Sequence, residues 1–142
     1  MRIIKSGIIA GVVMLLIGTV FHLVIPQYFS VVSAAYTNKA LFRPWGGWTR
    51  AYMLIHPLLF GFLFAGTYHL LVAPNRANGF LRGMRGGILY GTGVFLVGSL
   101  PIFALVYTSF LVPPQVVASW VVQNAFQYLA AGAVMAHWCD RH

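Results

Sequence analysis

Residues 3–25, IIKSGIIAGVVMLLIGTVFHLVI, carry no Lys, Arg, Asp or Glu after Lys5. A helix of about 20 residues rises ~30 Å, the thickness of a bilayer's hydrocarbon core. This run is long enough to cross one. Three more runs free of those charges follow it, from Tyr52 to Val72, Ile88 to Leu111 and Val116 to Ala136. Hydrocarbon offers backbone amides no water, so such runs form helices whose bonds close within the segment. The expectation is an all-α integral membrane protein. It is a four-helix transmembrane bundle forming one domain over residues 1–142, with spans at about 3–25, 52–72, 86–111 and 116–137.

Composition leads to the same place. Asp140 is the single acidic residue in 142, against nine Lys and Arg and a hydrophobic share of 60%. Soluble domains carry about a quarter charged residues, whereas this chain carries 7%. That is too little to clothe buried helices in a solvated exterior. The basic start and the small residues Val32-Ser33-Ala34 imitate a secretory signal. The apolar run is longer than the ~7–15 residues of such signals, so it reads as a first span.

Basic residues set the orientation. With both termini inside, Arg2, Lys5, Arg76, Arg82, Arg85 and Arg141 lie on the cytoplasmic side and Lys39, Arg43 and Arg50 on the other. The expected topology is N-in and C-in, in a bacterial inner membrane. A net charge of +8 does not imply nucleic acid, because the cations stand singly at helix ends, where anionic lipid meets them. Lone Cys139 has no partner for an internal disulfide and reads as a reduced, idle thiol; palmitoylation is the open alternative, without a motif to support it.

Within this frame Pro26 ends the first helix, and the apolar middle of the next loop, YFSVVSAAY (residues 28–36), lies along the headgroups. Trp45, Trp48 and Tyr52 then fall at the depth of an aromatic belt. Pro57 leaves a carbonyl near Met53 without its helix bond, Asn78-Gly79 marks a turn, and Pro101 bends the third span. Gly7 and Gly11 on the first helix, and Gly83, Gly87 and Gly91 on the third, recur at four-residue spacing. Glycine costs about 1 kcal/mol in a helix interior, so each set points to close helix packing, within the chain or against a partner. Gln123, Asn124 and Gln127 on the fourth helix need partners in the bundle or in a wet cavity. They serve as interhelical glue or as ligand contacts.

Histidine is the one reagent for chemistry. His22 and His56 lie toward one surface and His69 and His137 toward the other. This resembles di-haem b-type membrane cytochromes, in which histidines of a four-helix bundle hold one haem near each face; the resemblance implies haem b ligation by these four residues. Thirteen residues, however, turn His69 about 220° from His56 around the helix, away from a shared face. No Cys-x-x-Cys or His-Glu-x-x-His spacing offers a metal site. Asp140 is too near the terminus to complete a Ser-His-Asp set, so no catalytic residues are assigned. Carboxylate-driven ion coupling lacks its reagent as well. The leading expectation is a non-catalytic accessory or scaffolding subunit that packs against other membrane proteins or further copies of itself, without cofactor. The alternatives are a b-type haem or quinone electron-transfer subunit, and a binder or transporter of an uncharged lipophilic molecule.

Overall fold

The computed structural model describes residues 2–42, 46–75, 81 and 83–141. Arg43, Trp45, Arg76, Arg82 and the Asn78-Gly79 turn lie outside the described residues. The described chain is all-α, with no strand. Its elements are α1 (Arg2–Tyr28), α2 (Ser30–Thr37), α3 (Trp48–Leu71), α4 (Gly83–Val94), α5 (Leu100–Ser109) and α6 (Pro114–Arg141). A single π turn, Phe95–Ser99, joins α4 to α5 without a break.

Among the described residues three helices are long and apolar enough to cross a membrane: Ile3–Tyr28, Ala51–Asn75 and Gly83–Ser109. This fits an integral membrane protein. Their outward side chains are large and apolar, as at Leu16, Leu63 and Val97, the last 81% exposed. Helix α6 is as long, at 28 residues, but Trp120, Gln123, Asn124, Gln127 and Tyr128 make its middle more polar.

One boundary differs from the sequence reading. Pro26 does not stop α1, which runs on to Tyr28. A proline this close to a helix end forfeits one bond, to a carbonyl four residues back. The break comes at Phe29, whose backbone is extended (φ −123°, ψ 96°). Beyond it Ser30–Thr37 form α2, which packs on both α1 and α6. The third long apolar helix begins at Gly83, where φ is +63°. Such a backbone suits a residue without Cβ. Near Pro101 the helix widens into the π turn. Proline has no N–H for Val97, and a π turn relieves the crowding between ring and carbonyl.

Packing follows the order α3, α1, α6, α4. Gly61 of α3 sits against α1, where an added Cβ would stand 2.4 Å from Gly11 N and 2.5 Å from Gly7 O. Gly87 of α4 sits against Gly132 of α6, where an added Cβ would stand 2.0 Å from Gly132 O. Gly91 lies one turn further on, against the Tyr128 carbonyl. Backbones this close gain dispersion contacts, which drive helix association in lipid. Helices α3 and α4 instead meet through rings, with Phe64 and Tyr90 centroids 4.7 Å apart and Tyr68 and Tyr90 5.2 Å apart. Phe60, Phe95 and Tyr128 complete this aromatic core.

Candidate functional site

Polar side chains gather in three places along the bundle. The first is the end where α1 begins and α6 finishes. There the Ser6 hydroxyl, 1% exposed, lies 3.2 Å from His69 Nε2 and 3.3 Å from Cys139 Sγ. The thiol and the imidazole nitrogen stand 3.6 Å apart. Three helices therefore contribute one group each: α1 a hydroxyl, α3 an imidazole and α6 a thiol. Gly7, next to Ser6, belongs to the seam that draws α1 onto α3, and Ala136 packs in the core one turn before Cys139. The seams bring the three groups together.

A second group lies at mid-bundle. Gln127 Nε2 donates to the Met14 carbonyl of α1 at 2.7 Å, and Gln123 Nε2 approaches the same helix beside Gly18. Asn124 points elsewhere, donating to the Trp120 carbonyl of its own helix at 3.0 Å. Ser99, in the π turn, donates to the Tyr128 hydroxyl at 2.9 Å in a buried contact. Tyr90 donates to the Phe64 carbonyl at 2.8 Å and also touches the Thr67 hydroxyl. Hydroxyls of Thr19, Thr92 and Thr108 turn back to carbonyls four residues earlier, which satisfies them within their own helices.

The third group lies at the α2 end. Trp120 Nε1 donates to the Tyr36 hydroxyl at 2.8 Å, and the Tyr36 ring lies 5.6 Å from that of His22. Phe42 packs edge-on against both Tyr36 and Trp120. Together they pin α2 and the segment after it onto the ends of α1 and α6.

The four histidines thus have separate surroundings. His22 packs on Tyr36, whereas His56 stands in a row with Tyr52 and Phe60 one turn on either side. His69 faces Ser6 and Cys139, and His137 is exposed near the end of α6. No group of three or more His, Cys, Asp or Glu suited to a metal ion occurs among the described residues. Gly7, Gly11, Gly87 and Gly91 all lie against helices of the same chain.

The sequence reading missed Ser6 altogether and took Cys139 for an idle thiol. Ser6 is 63 residues from His69 and 133 from Cys139. Only the shared placement of all three beside boundary charges (Lys5, Arg76, Asp140) hinted that they occupy one end. An apolar depression at the surface of α1 and α6, lined by Leu16, Ile17, Val20, Phe21 and Phe126, has no polar contact to offer a ligand. No known protein family, curated protein or solved structure matches this chain.

Proposed function

We propose that the chain crosses a bacterial inner membrane four times, with α6 as the fourth span and both termini inside, and serves as a non-catalytic subunit that packs against another membrane protein. The carboxamides that make α6 polar support the fourth crossing. Gln127 spends its donor on α1 and Asn124 on its own helix, so their cost in hydrocarbon is offset inside the protein. Alkaline phosphatase fused after His142 would be inactive in this topology, and a fluorescent protein fused there would fold and emit.

One observation carries the subunit reading. Gly66, Gly93 and Gly98 lie within helical turns, yet an added Cβ at any of them would meet nothing within 4 Å. Glycine costs about 1 kcal/mol relative to Ala inside a helix, and these three recover none of it among the described residues. A helix from outside, laid closely on these positions, supplies the missing contact. The test is affinity purification in mild detergent. A larger membrane protein should co-purify, and Gly93→Leu should release it while leaving the thermal melt of the isolated chain unchanged. Purification as a stable lone monomer would defeat the reading.

A further inference from the structure

We propose that Cys139 is an S-acylation site, whose thiol is activated by His69 and takes the acyl group of a long-chain acyl thioester. The inference rests on the proposed four-span topology, though not on the presence of a partner, and is argued from three features.

The first is the chemistry brought together. A thiolate, not a thiol, is the nucleophile, and a neighbouring imidazole is the common means of generating one. His69 Nε2 lies 3.6 Å from Cys139 Sγ, within reach of the thiol proton for two groups held by packed helices. His69 sits in the last turn of α3, which brings its imidazole to the same end of the bundle as Cys139. The second observation is how the pair is held. The Ser6 hydroxyl, buried by α1, touches both the nitrogen and the sulfur. It holds their spacing, and it can donate to the thiolate while accepting from the imidazolium N–H.

The third is depth. Ser6 follows Lys5, and Cys139 precedes Asp140 and Arg141. In the proposed topology, with α6 as the fourth span, the thiol lies at the boundary between hydrocarbon and headgroup, and it is partly exposed. An acyl thioester of a soluble carrier presents its carbonyl at that level while its chain dissolves in the bilayer, and boundary cysteines are where such chains are attached. An acyl chain adds about 0.8 kcal/mol of membrane affinity per buried methylene. In a chain that already spans the bilayer, its effect is to change the lipid-facing surface beside α6.

The step balances without an oxidant or reductant. The Cys139 proton passes to His69 Nε2, and Sγ bonds to the thioester carbonyl carbon. The donor's C–S bond breaks, and the departing thiolate takes the proton back from His69.

The experiment uses the full chain in phospholipid nanodiscs with palmitoyl-CoA, read by intact mass and by release with neutral hydroxylamine. A gain of one palmitoyl group is expected, lost in Cys139→Ser. His69→Gln should slow it ~100-fold, as removal of a general base does, and added imidazole should restore part of the rate. Ser6→Ala should slow it a few-fold, on the order of one lost hydrogen bond. Circular dichroism and thermal melting check that each variant folds. Because His69→Gln could fail that check, the wild-type rate is also compared with that of an unstructured membrane-anchored cysteine peptide. Acylation no faster than the peptide overturns the proposal, as does a folded His69→Gln variant with the wild-type rate. Failure of imidazole to restore any rate, or an unchanged mass gain in Cys139→Ser, overturns it too.

Discussion

Helices α1 and α3 touch backbone to backbone at Gly61, as α4 and α6 do at Gly87 and Gly132, whereas α3 and α4 meet through the rings of Phe64, Tyr68 and Tyr90. Both kinds of contact fill space in the same bundle, but they tolerate change differently. A backbone seam has nowhere to put an extra methyl group, since the neighbour's carbonyl cannot turn aside. A ring contact rests on side chains that change rotamer and on hydroxyls that find other partners. The seams therefore set the spacing of the helices, and the rings fill the space left between them.

Substitutions should rank accordingly, with unfolding in mixed detergent followed by helical circular dichroism as the common measurement. Gly132→Leu should do most harm, because its Cβ alone would stand 2.2 Å from Gly87 O. A loss of about 3 kcal/mol is expected, the upper end for an overpacked site. Near-wild-type stability would show that this seam opens easily. Gly61→Ala comes next, at about 2 kcal/mol by the same reasoning, offset in part by the better helix propensity of Ala. Tyr90→Phe keeps the ring and removes the hydroxyl bonded to the Phe64 carbonyl, so about 1 kcal/mol is expected. A larger loss than that of Gly61→Ala would reverse the ranking of seam over ring. Gln127→Leu should cost least, about 0.6 kcal/mol, the average for interhelical hydrogen bonds in bilayers. If it matched Gly132→Leu, the junction of α1 and α6 would have to be counted as a third seam.

Much of the fold was legible in the residues. Gly7 and Gly11 marked a close approach, and so did Gly87 and Gly91, because glycine inside a helix needs a reason. What faces them was not legible. Gly132 sits among alanines and Gly61 between two phenylalanines, and nothing local says that they are the complements. The π turn was hidden for a similar reason: Pro101 announces a disturbance, but whether a helix kinks or widens depends on what packs beside it. Of the candidate site, His69 and Cys139 were visible as single residues near a boundary. Their pairing was not, because 70 residues separate them and neither carries a local motif. His22 and His56 share a depth in the sequence, as do His69 and His137, but depth leaves open the rotation about each helix axis, which turns them toward different neighbours.

The sequence by itself determined the solvent and the secondary structure. With 7% charged residues and one acid the chain has no means of covering itself with water-facing groups, and in lipid an unpaired amide is too costly for anything but helix. Tertiary structure alone decided which helix lies on which, that the recurrent glycines are spent within the chain, and that a serine, a histidine and a cysteine from three helices share one end of the bundle. Apolar periodicity is a property of each segment, whereas a contact requires two surfaces at one depth and one rotation. Those two coordinates become fixed when the backbones close at Gly61 and Gly132.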